Sequence, residues 1–477
     1  MQTTKPQQDK KKRGINLRKL ITTVIVLLLI LTCHTTIYAE SEGIDTVKVG
    51  LFYGSTAKSS VEITSADGFL MGYEEDGEFI EDGVLEESEV TVCTGDENTV
   101  EIGSYIYDAD AFPTLYPVEG TIKVDGVEYR GGVQFKRIGG GNLTVINVVN
   151  MEEYLYSVIG KEMSPSWNIE ALKAQAVCAR GFAISNRNKF EKYGFNLDTT
   201  TTSQVYKGVS VETESTRRAA EETAGQVLMH DGEIIQSIYC ASMGGASANA
   251  KDVWGGSYPY LVSVTDPYEN PDEATRYSWS ITLTADDIED CLADSGVDIG
   301  DILDVEIVDQ DAAGYVLELK FTGTDGTHTV KRSSCRGVFG GKIHSQRYNI
   351  ITNDEDEEIK NNFIRHIPSA QEFPFIATAE DIEKPKKIKS TSISKVTFKP
   401  YTPPKKATTR KPVADGEYIF EGHGWGHGVG MSQWGAKAMA DQGFTYEDIL
   451  TFYYTDTYLE TVYSPEEIVE DITDIEE

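Results

Sequence analysis

The hydrophobic period of this chain changes near residue 150, and that change limits the folds open to it. From residue 46 apolar and polar residues alternate, as in Val47-Lys48-Val49-Gly50-Leu51-Phe52-Tyr53 and Thr121-Ile122-Lys123-Val124-Asp125-Gly126-Val127, with Asp-Gly turn signals between runs. Alternation puts successive side chains on opposite faces, the pattern of half-buried strands. Between 152 and 190 the period is helical, and strand-like runs return at 226–228, 234–239, 303–308 and 315–321. The fold class expected is α+β: a β-rich N-terminal region joined to a mixed α/β, catalytic-type core.

Ahead of these elements stands a segment of another kind. Seven of the first 19 residues are basic and one, Asp9, is acidic; residues 20–31 then read LITTVIVLLLIL. A basic flank before a short apolar run is the export pattern. Twelve residues, ten of them apolar and two Thr, suit the centre of a signal peptide cleaved after Ile37-Tyr38-Ala39; counted on to Ala39, the run reaches 20 residues, enough for a signal anchor that holds the chain to the membrane through residues 20–39. Both outcomes place the chain beyond residue 40 outside the cytoplasm. Cys33 follows Thr32, which is bulkier than the Gly or Ala that normally precedes a lipid-bearing cysteine, so lipid attachment is not expected.

The remaining signals divide the chain into a leader (1–40), a β-rich part (45–150), the first part of a core (151–350), an insertion (351–414), the last part of the core (415–463) and an acidic tail (464–477). Within the insertion, residues 384–412 hold ten basic residues, five prolines and no acid, the composition of a linker. The whole chain has 43 Lys plus Arg against 77 Asp plus Glu, a net charge of −34. Such a surface repels a polyanion that is normally bound by basic side chains, so no nucleic-acid partner is expected. Five cysteines follow the leader, Cys93, Cys178, Cys240, Cys291 and Cys335, none at C-x-x-C spacing. Buried thiols, with one bridge at most, are expected rather than a disulfide scaffold.

The stretch from Asn150 to Asn186 carries the strongest chemical signal. Leu155, Val158 and Ile159 form a helical stripe whose next member is Glu162. A carboxyl group is thus set where a helix normally turns an apolar side chain inward. Partial burial beside Met163 and Trp167 raises a carboxyl pKa, as a general acid near neutral pH requires. The plainer alternative is that Glu162 ends the helix in a salt bridge to Lys173 or Arg180. Ser164-Pro165-Ser166 breaks the helix and offers a cap to the next, from about 167 to 189. Lys173 and Arg180 share a flank of that second helix, to hold an anionic substrate group or to brace the acid.

Glu153-Tyr154-Leu155, Gly160-x-Glu162-Met163 and Trp167-x-x-Glu170-Ala171-Leu172-Lys173-Ala174-Gln175-Ala176-Val177-x-Ala179-Arg180 resemble the signature of the stage II sporulation protein D and amidase-enhancer (SpoIID/LytB) family. Three later blocks agree in order: Thr202-x-Gln204-Val205-Tyr206-x-Gly208; Ser242-x-Gly244-Gly245 with Val253-Trp254-Gly255 and Pro259-Tyr260-Leu261; and Gly424-Trp425-Gly426-His427-Gly428-Val429-Gly430-Met431-Ser432-Gln433-Trp434-Gly435-Ala436. The likeness covers roughly residues 45–350 and 415–460. It implies an extracytoplasmic protein whose sporulation branch resembles lytic transglycosylases acting on peptidoglycan strands without stem peptides, with Glu162 as the catalytic acid. The other branch implies a non-catalytic enhancer that binds glycan or a cell-wall amidase. A wall-binding module in which the motif only supports the fold is a third reading.

A hydrolytic glycosidase pairs two carboxylates across the scissile bond. A lytic transglycosylase uses the sugar's own C6 hydroxyl, so a single group protonates the leaving oxygen and then accepts the hydroxyl proton. No second carboxylate stands out in the motif blocks. Gln204 and Tyr206, on a polar loop expected to run into a short strand, would bond or stack on a sugar, or serve as ordinary turn and strand residues. His427, Ser432 and Gln433 are expected on a cleft wall that touches substrate or orients Glu162; the alternative is a tight glycine corner with a structural histidine. A helix is expected from Ser432 to about Gln442, closed by Gly443. Ser242 belongs with the binding or supporting residues and, having no base nearby in sequence, is not read as a nucleophile. Some family members carry His and Cys residues in this region that resemble a zinc site. This chain offers Cys240, with His230 ten residues earlier, so no metal or other cofactor is expected; a zinc site would need a distant third ligand.

Overall fold

The structure, a computed structural model, describes residues 43–75, 77–352 and 416–464. The leader with its cleavage or anchor question, the Lys/Pro-rich stretch and the tail beyond Ser464 lie outside the described residues. Among the described residues no helix is long and apolar enough to cross a membrane.

The β-rich part forms two sheets. In spatial order the larger contains Leu197–Asp198, Thr46–Phe52, Leu143–Asn150, Gly132–Arg137, Thr114–Pro117, Phe69–Glu75 and Glu78–Leu85. Its pairings are antiparallel except that between Leu197–Asp198 and Thr46–Phe52. The second sheet runs Val127–Tyr129, Ile122–Val124, Ser60–Thr64, Glu89–Thr94, Thr99–Ile102 and Tyr105–Asp108. Leu143–Asn150 shows why strict alternation is hidden in a central strand. Leu143, Val145 and Val149 enter the main core, while Ile146 and Val148 join Phe195 in a smaller aromatic cluster on the opposite face. Both faces are covered, so nearly every position is buried.

That central strand runs directly into the first helix. Asn150 ends the strand, and its side-chain oxygen accepts the Glu152 N–H at 2.9 Å, capping α1 (Met151–Glu162). Leu155, Val158 and Ile159 are buried as the stripe requires. The second helix, α2 (Ile169–Ser185), starts later than expected and is capped by Asn168, whose oxygen accepts the Glu170 N–H at 3.1 Å. Ser164 and Ser166 bond to one another instead, at 2.9 Å. A third helix, α3 (Glu214–Glu221), follows, and α4 (Gln433–Asp441) and α5 (Tyr446–Tyr453) close the core.

The expected strand at 234–239 is divided. Glu233–Ile234 pairs with Gln226–His230, whereas Tyr239–Cys240 pairs in parallel with Met431–Ser432. Between them Ser237 turns toward α2 and donates to the Cys178 carbonyl at 2.9 Å, where Gly181 leaves room for it. The stretch after Gln204 is likewise not a strand; it leads to a short 3-10 turn at Gly208–Val211. A second hydrophobic core gathers Ser278–Thr284, Glu417–His423 and Tyr348–Thr352 with a hairpin sheet of Ile302–Gln310, Val316–Gly323 and Gly326–Lys331. The chain therefore returns from the insertion as a central strand and delivers the glycine-rich block beside Tyr239–Cys240. All five described cysteines are free thiols, four of them buried.

Candidate active site

Glu162 is the last residue of α1, where the helix stops because Met163 turns to extended backbone. Its side chain is half-buried. The Gln433 side-chain amide donates to Glu162 Oε2 at 3.2 Å and to Gln175 Oε1 at the same distance. Burial raises the Glu162 pKa, and the Gln433 bond, the Val205 backbone N–H and Lys161 act in the opposite direction without cancelling it. None of these groups is a carboxylate. Lys173 and Arg180 do not bridge Glu162; they are committed to other acids.

Below the acid lies a buried polar chain. Tyr154 Oη donates to Gln204 Oε1 at 3.1 Å, and the Gln204 amide donates to Tyr239 Oη at 3.0 Å and to the Ala179 carbonyl at 3.3 Å. Burial, and after it the Glu162 charge, holds both tyrosines in the phenol form. Gln433 is fixed from the other side. Ser432 Oγ accepts the Gly435 N–H at 3.1 Å and caps α4, placing Gln433 at the first helical position. The preceding glycines let the chain come in closely: Gly430 has φ +82°, and a Cβ there would collide with the Ile238 carbonyl. Their close approach is thus to neighbouring backbone.

His427 reaches the site through Tyr239. Its Nδ1 accepts the Val429 N–H at 3.0 Å, and a further bond joins the ring to the Tyr239 backbone. Burial, helped by Arg336, lowers its pKa to about 4, so it is neutral at physiological pH. Its ring packs on Trp254 with centroids 5.2 Å apart, and Trp167 packs on Trp434 at 4.8 Å. Of the chain's five tryptophans, four keep exposed surface, and each of these belongs to the glycine block's own segment or contacts it or its flank.

Residues 139–230, which include Glu162, match the family described as SpoIID, stage II sporulation protein. Over 424 residues the chain is 30% identical to an amidase enhancer of Bacillus subtilis, an alignment covering 86% of this chain and 53% of that protein. It is 28% identical over 333 residues to stage II sporulation protein D of the same organism, covering 67% and 76% respectively. The chain belongs to the SpoIID/LytB family. It spans about half the length of the amidase enhancer.

Several SpoIID/LytB motif positions serve in ways other than those expected. Arg180 is fully buried and forms a paired contact with Glu152, donates to the Gln226 carbonyl at 2.9 Å, and has no surface to offer an anionic substrate. Tyr463 and the Gly225 N–H complete the Glu152 shell at 2.6 and 3.1 Å. Lys173 joins Glu222 at 2.6 Å and Glu170 at 3.1 Å, tying α2 to the end of α3. Tyr206 is 2% exposed and donates to Asn147 Oδ1 at 2.8 Å, so its ring is core, not a sugar platform. Gln204 is also buried, and its segment reaches Glu162 through the Val205 N–H. Ser242 is buried, accepts the Gly244 N–H at 3.3 Å and exchanges backbone bonds with Trp425. It supports the loop. Cys240 faces the Ser242 carbonyl, while His230 bonds the Asp456 carbonyl at 3.0 Å. Among the described residues no group of three or more His, Cys, Asp or Glu is arranged to hold a metal.

Proposed function

We propose that this protein is an extracytoplasmic, cell-wall-acting lytic transglycosylase that cuts peptidoglycan strands lacking stem peptides. The observation that carries this reading is a single half-buried carboxyl group, raised in pKa, held by the Gln433 amide with no carboxylate among the groups acting on it. Glu162 protonates the glycosidic oxygen as the C1–O bond breaks. The C6 hydroxyl of the same muramyl residue then bonds to C1, and the Glu162 carboxylate takes the hydroxyl proton. Each turnover ends with Glu162 protonated again and a 1,6-anhydro-muramyl end, consuming no water. The Gln433 amide favours the carboxylate formed midway and burial favours the acid that starts the cycle, so both states are accessible.

A relative named amidase enhancer favours a second reading, in which the chain binds glycan or an N-acetylmuramoyl-L-alanine amidase and stimulates it. Incubating the protein with peptide-free strands, with and without an added amidase, separates the two. Anhydro-muramyl ends without amidase support the enzyme. Their absence, together with faster amide cleavage, supports the enhancer. The anchor or signal-peptide role of residues 20–39, and with it membrane attachment, belongs to the same proposal.

A further inference from the structure

Several described arginines of this acidic chain meet acids of the chain. Arg130 meets Glu212 and Glu153, Arg180 meets Glu152, and Arg217 and Arg218 meet Glu212 and Glu222. Arg276, Arg332 and Arg336 differ: among the described residues none of them forms an ion pair or donates a side-chain hydrogen bond, and of the three Arg336 alone is withdrawn from water. Arg336 is half-buried, and burial lowers its pKa, the reverse of the net effect on paired Arg130 and Arg180. An unpaired guanidinium withdrawn from water is costly, and in a chain of net charge −34 acidic partners are plentiful. Its isolation calls for an anion that is not part of the chain.

Arg276 and Arg336 share a neighbourhood: the charges of both reach His344, whose backbone carbonyl accepts the Gly426 N–H at 3.1 Å beside Trp425, and the charge of Arg336 also reaches His427. Arg276 lies with its guanidinium carbon 4.0 Å from the centre of the Trp425 ring, its backbone held at φ +64°, a conformation a non-glycine residue keeps only under constraint. Trp425 is 39% exposed and Trp254, packed on His427, is 38% exposed. With His427 neutral, the positive charge belongs to the guanidinium groups. Flat aromatic surface beside unpaired guanidinium suits a sugar that carries a planar carboxylate, which a guanidinium binds through two parallel hydrogen bonds. The same backbone segment continues to Gln433, which holds Glu162.

Building on the transglycosylase reading, we propose that Arg336 and Arg276, with Trp254 and Trp425, form a subsite for the free lactyl carboxylate of a muramyl residue. A stem peptide converts that carboxylate into an amide, removing its charge and one acceptor oxygen. The subsite thus gives the enzyme a physical means of selecting strands whose peptides have been removed.

The test is binding by the full-length chain carrying Glu162→Gln, so that probes stay intact. The probes are peptide-free glycan strands, strands with stem peptides, and a chitin oligosaccharide, which has no carboxylate. Peptide-free strands are expected to bind most tightly. Arg336→Met should weaken that binding roughly ten- to hundredfold, the scale of a lost charged hydrogen-bond pair, while leaving the chitin oligosaccharide within about twofold and Arg336→Lys intermediate. Because Arg336 has no internal partner, its thermal midpoint should not fall. Arg276→Met provides a second variant with the same expected selectivity. Equal affinity for all three probes, an equal loss on chitin oligosaccharide, or competition by a glycerol-phosphate polymer as effective as by peptide-free strands would overturn the proposal. Arginine-dependent binding with no cleavage by wild type would remove the transglycosylase reading and leave the carboxylate subsite. Cleavage indifferent to both arginines would do the reverse.

Discussion

Replacing Arg180 by Met removes the positive member of a contact in which Arg180 has no exposed side chain and Glu152 is 7% exposed. Glu152 would retain Tyr463 Oη and the Gly225 N–H as donors, but no cation. Breaking a buried pair from one side costs about 3–5 kcal/mol, because the remaining charge stays desolvated. With an unfolding entropy of roughly 2 cal/mol/K per residue, a unit of this size should lose about 4–6 °C in thermal midpoint. Arg180→Met/Glu152→Met should be less destabilised than the sum of the two single variants, as the two charges leave together. The assay is a thermal melt of all four proteins, with glycan affinity measured on the folded fraction. Affinity should change little, because the pair joins α1, α2 and the chain's C-terminal strand region beneath the site. A midpoint within 1 °C of wild type, or additive losses, would refute the energetic reasoning; a stable variant that had lost glycan affinity would return Arg180 to the substrate.

Tyr206→Phe deletes the buried bond to Asn147 and should cost about 1–3 kcal/mol, with KM for glycan unchanged; a raised KM at unchanged stability would restore the ring to the cleft. Gln433→Leu removes the donor that favours ionised Glu162, so the alkaline limb of the pH–rate profile should move to higher pH; movement to lower pH would contradict the site geometry. Glu269 is buried near Asp266, and burial first, then Asp266, raises its pKa from 4.5 to about 7. The folded state holds that proton more tightly than the unfolded one, so its contribution to stability is full below the ordinary carboxylate pKa and is lost as pH rises toward 7. Melts between pH 4.5 and 8 should therefore fall more steeply for wild type than for Glu269→Gln, and equal slopes would count against this assignment.

Much of the site's outline was legible because it rests on local regularity. A carboxylate completing the stripe of Leu155, Val158 and Ile159 is a departure from period that sequence displays directly, and the structure sets Glu162 where that departure places it. Ser432 before a helical run likewise announces its cap. What was hidden depends on packing between distant segments. Arg180 finds Glu152 on the preceding helix because α1 and α2 pack together, which no spacing rule encodes. Tyr206 had one available signal: Asn147 interrupts the buried run Leu143–Asn150, and a buried amide needs a partner. The exposed faces of Trp254 and Trp425 had none, since exposure of an aromatic ring follows from the loops around it. The expected cap at Ser164 to Ser166 went to Asn168, because the helix begins at Ile169, two residues beyond the expected start, and the two serines bond to each other.

The central claim, one carboxyl group breaking a glycosidic bond without water, is tested most directly by digestion of peptide-free strands in water enriched in oxygen-18, with products read by mass spectrometry. The account predicts anhydro-muramyl ends, lighter by one water than hydrolytic ends and free of the heavy isotope, from wild type, and their loss in folded Glu162→Gln. Reducing ends that carry oxygen-18, or undiminished cleavage by Glu162→Gln, would contradict it.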